Sequence, residues 1–178
     1  MNIILLGFKA SGKSTLGRAL ARILGRNFLD TDILTEDLHA TEHPGKRLNC
    51  RNISRVHGMK ALRDLETRAI QGLRSAAFKG DEIIATGGGI ILREENMKIL
   101  NSMGPRVFLD TSLPLLEERL RGHDSPLFAE KNVTELHRER YPLYMRFSDL
   151  RLPIARNLPP EELSGQLIEL LQEAGYVQ

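Results

Sequence analysis

Gly7-Phe8-Lys9-Ala10-Ser11-Gly12-Lys13-Ser14, with Thr15 behind it, is the stretch whose reading decides the fold. Its spacing, G-x-x-x-x-G-K-[ST], is that of a loop that wraps phosphate. Glycine at each end lets the backbone curl until successive N–H groups point inward at anionic oxygens. Lys13 then offers a mobile positive charge to β- and γ-phosphates, and Ser14 a hydroxyl to Mg²⁺. The flanks carry the context this motif needs. Asn2-Ile3-Ile4-Leu5-Leu6 reads as a buried parallel strand running into the loop. From Lys13 onward the pattern is helical, with Leu16, Leu20, Ile23 and Leu24 on one face and Gly25 as the stop. The nucleotide-binding set expected here is Gly7, Ala10, Ser11, Gly12, Lys13, Ser14 and Thr15.

Outward from the loop, strand-like and helix-like segments alternate, as in an α/β fold on a parallel sheet. Further strands are expected at 27–29, 82–85, 106–110 and 151–155, the last an edge strand because Pro153 lacks a ladder donor. Helices are expected after Asp32 through Leu38, from Gly58 to Phe78, and over 94–103, 113–121, 133–147 and 161–174. In the 58–78 helix Met59, Leu62, Leu65, Ala69, Ile70, Leu73 and Ala76 recur at helical spacing, and the 133–147 helix would be interrupted or bent at Pro142. Residues 39–57 show no clear period and read as an irregular insertion.

The 178 residues suit one domain. A net charge of +2, from 25 basic and 23 acidic residues, argues against nucleic acid or a membrane surface as main partner. No apolar run reaches the roughly 18 residues of a membrane span. One cysteine, Cys50, allows no internal disulfide and fits a reducing compartment; it reads as a bystander. The five histidines show no metal-ligand spacing and receive no role. A monomeric, cytoplasmic protein is expected.

Three aspartates close strands: Asp30, Asp32 and Asp110. Side chains two apart in extended chain point the same way, so Asp30 and Asp32 could serve a metal and an acceptor hydroxyl together. Asp110 reads as a cap for the helix after Thr111 rather than as a second metal-ordering carboxylate. Thr86-Gly87-Gly88-Gly89 at the end of a strand allows close backbone approach to a ligand. Neither Asn-Lys-x-Asp nor Asp-x-x-Gly occurs, which sets the chain apart from GTPase switches and favours a small-molecule kinase.

Taken together, Gly7–Ser14, Leu29-Asp30-Thr31-Asp32, Arg63-x-x-Glu66, Thr86-Gly87-Gly88-Gly89 and Arg140-x-Pro142-Leu143-Tyr144 resemble the shikimate kinases in order and spacing. That resemblance implies a three-layer P-loop NTPase fold with a five-stranded parallel sheet, order 2-3-1-4-5, and helices on both faces. It implies ATP and shikimate as substrates and transfer of the γ-phosphoryl group to the 3-hydroxyl, on the route to chorismate and the aromatic amino acids. Lys13 and Asp32 would be catalytic, with Ser14 and Asp30 at Mg²⁺. Asp32, Arg63, Gly87, Gly88, Gly89 and Arg140 would meet shikimate, Arg119 would meet adenine, and further adenine contacts would fall near 157–160. The chain would be a single kinase domain, with a substrate-binding insertion at about 33–62 and a lid at about 119–131. Without the resemblance, Arg63 reads as a surface ion pair with Glu66 and Arg140 as a solvated helix charge.

The chain departs from the family in two places. Where the lid usually carries Arg-Pro-Leu-Leu, this chain has Ser125-Pro126-Leu127-Phe128. Arg119, Arg121 or Lys131 is then expected to supply part of the missing charge. Where the substrate-side helix usually starts Gly-Glu-x-x-Phe-Arg, it reads Gly58-Met59-Lys60-Ala61-Leu62-Arg63. The alternatives are a kinase for another small hydroxylated acid, such as gluconate, a nucleoside monophosphate kinase, or a non-catalytic ATP-binding module.

Overall fold

Alternation along the first strand sets the layers. In β1 (Ile3–Leu6) Ile3 and Leu5 enter one apolar cluster, and Ile4 and Leu6 another on the opposite face. A computed structural model describes residues 1–45, 47–75, 80–122 and 131–177. Its strands β1, β2 (Phe28–Asp30), β3 (Ile83–Ala85), β4 (Arg106–Thr111) and β5 (Leu150–Ile154) form one parallel sheet in the order β2-β3-β1-β4-β5. All four strands after β1 lie where the periodicity puts them, within a residue at most ends.

Helices cover both faces. On one, α1 (Lys13–Leu24) and α7 (Pro160–Glu173) bury Leu16, Leu20, Leu163, Leu167 and Leu171 against Ile3, Leu5 and Val107. On the other, α3 (Cys50–Ser75), α4 (Glu94–Asn101), α5 (Leu113–Leu120) and α6 (Val133–Phe147) bring Ile70, Leu100, Leu116 and Tyr144 against Ile4, Leu6 and Phe108. Burying a large apolar side chain contributes about 1.5–3 kcal/mol, so two filled faces hold the sheet rim rigid. Ile23 departs from the predicted buried face of α1: in the last turn of that helix, it is 47% exposed.

Three further expectations change. Helix α2 (Thr31–Glu42) starts directly after β2, so Asp30 is its N-cap and Asp32 lies in its first turn, not in extended chain. Residues 39–42 and 50–57 are helical, and the irregular part shrinks to the turn after α2. α3 breaks at Gly58, whose φ of 85° and ψ of 161° are non-helical. A side chain is strained there, so glycine fixes the angle at which the Met59–Arg63 segment approaches the sheet. Pro142 is accommodated within α6, which runs unbroken from an Asn132–Glu135 capping box.

Candidate active site

The carboxyl ends of the strands open into a cleft of about 570 Å³. The phosphate loop, Asp32, Arg63, Arg140, Gly88 and Gly89 all line it. Of the expected site residues, Ala10, Ser11, Gly12, Lys13, Ser14, Thr15 and Arg119 also face the cleft. Gly7, Asp30 and Gly87 are not among its lining residues; Gly7 and Asp30 accept from Lys13 and Ser14, and the Gly87 amide donates to Thr31 Oγ1.

In the loop, Ala10 has φ 63°, a left-handed conformation that turns the chain toward α1. The Lys13 ammonium donates to the carbonyls of Gly7 (2.9 Å) and Phe8 (2.7 Å) and to Ser11 Oγ (3.2 Å). Burial lowers its pKa to about 8 despite the pull of Asp32 and Asp30. A phosphate in the loop favours the charged amine, so nucleotide binding takes up a proton wherever the free enzyme has lost one. ATP binding is expected to take up roughly half a proton or more at pH 8.5 and almost none at pH 6.5. Titration calorimetry in buffers of different ionisation enthalpy measures this. Identical proton counts at the two pH values would contradict it.

Behind the loop, Ser14 Oγ donates to Asp30 Oδ2 at 2.7 Å, while Asp30 Oδ1 accepts the Asp32 backbone N–H at 3.0 Å. One carboxylate thus caps α2 and meets the nucleotide loop at once. The cap aims the Asp32 side chain into the cleft. Burial, with Asp30 and Glu66 nearby, pushes the Asp32 carboxyl up to about 6. The triple glycine provides the space. A methyl group on Gly87 would overlap the Asp32 carboxylate, and one on Gly89 the Arg63 guanidinium. Gly88 lies against the Lys9 amide of the phosphate loop. None of the three glycines has positive φ; close approach is what excludes a side chain.

Arg63 does pair with Glu66, Nη1 lying 2.5 Å from both carboxylate oxygens. The pair is no surface bridge: the side chains are 14% and 5% exposed. Arg140 is 5% exposed rather than solvated, and it forms no ion pair among the described residues. Its contacts are a long bond to the Gly88 carbonyl (3.4 Å) and the Phe8 ring, 5.8 Å from the guanidinium carbon. Burial lowers its pKa, and the neighbouring Arg63 charge adds to that. Glu66 answers the Arg63 charge, which leaves the buried Arg140 guanidinium without a carboxylate of its own among the described residues, a setting that favours an anionic ligand.

Tyr144, quoted in the sequence without a role, ties the two halves of the site. Its hydroxyl lies 3.0 Å from the Gly7 carbonyl and 2.7 Å from that of Gly88. Lys9, Arg51 and Cys50 also line the cleft. Cys50 is therefore closer to the chemistry than its isolation in sequence suggests, its thiol 3.5 Å from the Asp32 carbonyl and its pKa raised by burial. Lys9 comes with the phosphate loop, whereas no spacing rule marks Cys50 and Arg51, which the start of α3 brings in.

Arg119 lies across the loop, donating to the Ala10 carbonyl (3.0 Å) and to Asn157 Oδ1 (2.7 and 3.1 Å). Leu158 and Pro160 line the same end. Lys131 pairs with Glu139 at 2.5 Å, so of the candidate lid cations Arg119 is the one at the cleft. The Ser125–Phe128 lid segment is outside the described residues. Asp110 is not the cap of α5, which is Ser112: Arg151 Nε and Nη2 hold its carboxylate at 2.6 and 2.5 Å, and it is not among the residues lining the cleft. The strand-end position misled because β5 puts a cation directly alongside.

Comparison with known proteins agrees with this geometry. A family model described as shikimate kinase matches residues 9–172. The shikimate kinase of Rippkaea orientalis is 35% identical over 176 residues, covering 96% of this chain and 88% of the relative. That of Nitratidesulfovibrio vulgaris is 38% identical over 152 residues, 80% of each chain. Among solved structures, shikimate kinase from Acinetobacter baumannii in complex with shikimate superposes with a TM-score of 0.82 at 30% identity, covering 97% of this chain and 93% of that one. With its sheet order, its phosphate loop and these relatives in agreement, the chain belongs to the shikimate kinase family and is an ATP-dependent kinase.

Proposed function

We propose that the reaction of this family, transfer of the ATP γ-phosphoryl group to the 3-hydroxyl of shikimate, is carried out here by Lys13, Asp32, Arg63 and Arg140. The observation that carries the reading is the buried Arg140 guanidinium, without a carboxylate partner among the described residues, beside Arg63 in the cleft that holds the phosphate loop. A small carboxylate substrate supplies the missing anion, and planar guanidinium forks orient it as well as bind it.

The division of labour follows. The carboxylate docks on Arg63, Arg140 and the Gly88–Gly89 backbone, which turns a ring hydroxyl toward Asp32. Asp32, with a pKa of about 6, is ionised at neutral pH and accepts the hydroxyl proton. Lys13 and the amides of residues 10–15 hold the phosphates and stabilise charge on the moving phosphoryl group. Phosphoryl transfer asks mainly for positioning, and one rigid rim supplies it. Ser14 and Asp30 present a hydroxyl and a carboxylate oxygen 2.7 Å apart, a hard-oxygen set that suits Mg²⁺. Ser14 directly and Asp30 through water would hold the ion, whose chemistry is to neutralise β- and γ-phosphate charge.

Every group named comes from one chain, so a monomer suffices, and a cytoplasmic location belongs to the same reading. Residues of about 33–62 then form the substrate-binding arm, and most of the lid expected at about 119–131 lies outside the described residues. The direct experiment couples ADP release to a spectrophotometric signal with shikimate, gluconate, AMP or no acceptor. Shikimate-dependent turnover is expected. Equal rates with another acceptor, or none with any, would overturn the proposal. Arg63→Lys is expected to raise the shikimate KM by about ten- to a hundredfold, since an ammonium cannot form the fork, and to leave the ATP KM unchanged. Initial-rate measurement of both KM values is the check.

A further inference from the structure

Three histidines outside the cleft lie together where two helices meet. His39 is in the last turn of α2, His43 caps that helix, and His57 precedes the Gly58 break in α3. One ring nitrogen of each lies within 4.8 Å of the others. Spacing of four residues puts His39 and His43 on one helix face, and the break in α3 brings in His57.

We propose that His39, His43 and His57 form a binding site for one late first-row divalent metal ion, Zn²⁺ being the reference case. Four observations carry it. His39 Nε2 and His57 Nε2 are 3.2 Å apart. Two imidazoles on a tetrahedral Zn²⁺, at 2.0–2.1 Å each, place their nitrogens about 3.3–3.4 Å apart. His43 Nδ1 lies 3.3 Å from the His39 carbonyl, which only accepts, so that nitrogen carries the proton and Nε2 keeps its lone pair. A second ring nitrogen tied to a backbone carbonyl is the usual arrangement for a metal-ligating histidine.

His39 itself is 2% exposed, yet its Nδ1 has no hydrogen-bond partner among the described residues. Its ring is therefore engaged through Nε2 alone among the described residues, on the side where His57 lies. Finally, His43 and His57 are exposed, so an ion reaches the site from solvent and finds a position left for water. Glu42 is engaged by Arg68 rather than aimed at the cluster. Imidazole donors select Zn²⁺, Ni²⁺, Co²⁺ or Cu²⁺ over Mg²⁺, so the site is chemically distinct from Ser14 and Asp30.

The ion would pin α2 to the α3 break, one residue from the glycine that sets the angle of the substrate-binding segment. The test uses full-length, tag-free protein stripped with chelator and kept in Mg²⁺, titrated with Co²⁺ by visible absorption and with Zn²⁺ by calorimetry. One ion per chain is expected, with the melting temperature raised roughly 5–10 °C at a hundredfold excess over Kd. His43→Ala and His57→Gln, both at exposed positions, are each expected to weaken binding by about two powers of ten or more, since loss of a supporting contact alone costs 10–100-fold. Asp30→Asn is expected to leave it unchanged. Absence of saturable binding, binding indifferent to both histidine variants, or binding lost in Asp30→Asn would overturn the proposal.

Discussion

Asp32→Asn is expected to lower kcat by about three to four powers of ten while ATP still binds with near-native affinity. Asparagine keeps the shape and can still accept a hydrogen bond from the substrate. It cannot hold the hydroxyl proton at neutral pH, and loss of a positioned base alone removes about 10²–10⁴ in rate. The remainder comes from disturbed orientation of the acceptor. Nucleotide titration beside turnover separates the two effects. Turnover within tenfold of wild type would sink the base assignment.

The same variant carries a second signature with the opposite sign. In the ligand-free enzyme the Asp32 carboxyl is raised to about 6 by burial, Asp30 and Glu66. A carboxyl raised above its unfolded value near 3.8 favours folding when protonated. Wild-type stability from this group is therefore fully present below pH 4 and is lost as pH rises through about 6. The asparagine amide never ionises, so the variant should melt higher than wild type at pH 8 and at the same temperature near pH 4. The full shift corresponds to roughly 3 kcal/mol, and water in the open cleft reduces this to nearer 1–2. Scanning calorimetry at the two pH values reads a gain of about 2–8 °C at the higher one. A dead variant that is also less stable at pH 8 would mark Asp32 as structural.

How much of this was legible depends on whether a function sits in local spacing or in contact. The phosphate loop, its strand and its helix are one continuous stretch, and alternation in Ile3–Leu6 already dictates two covered faces. For Asp30 and Asp32 the extended-chain geometry expected from their spacing does not occur. The helix start gives them different places: Asp30 puts one oxygen on the cap and the other on Ser14, while Asp32, in the first turn, lines the cleft. Arg63 and Glu66 share a helix face as spacing requires, but whether that face meets water or a cavity depends on the Gly58 break. Periodicity says which residues are neighbours along a helix, not what the helix is pressed against. Asp110 failed for that reason, since its partner Arg151 lies on a strand about forty residues away in sequence. His39 and His43 did carry a visible signal in their spacing of four, and only the third member, His57, needed the fold.

Arg140→Met tests the other half of the site. The shikimate Kd is expected to rise by about two to three powers of ten, with ATP affinity unchanged. Truncating one partner of a desolvated, charge-assisted contact costs about 2–5 kcal/mol, which sets that range. Methionine fills similar space against Phe8 without charge, so the fold is preserved. Stability should hold or rise, because the guanidinium is buried without an ion-pair partner among the described residues and its desolvation is uncompensated until substrate arrives. The competing role for Arg140 is to hold the Gly88 carbonyl. That bond is long, 3.4 Å, and the Tyr144 hydroxyl already meets the same oxygen at 2.7 Å. A purely structural arginine would therefore lower the melting temperature and leave shikimate binding near wild type. A substrate-docking arginine moves affinity and spares the fold. Calorimetric titration with shikimate, run beside thermal melting, separates the two outcomes. A well-folded variant whose shikimate Kd changes less than about threefold would leave the acceptor without its anchor.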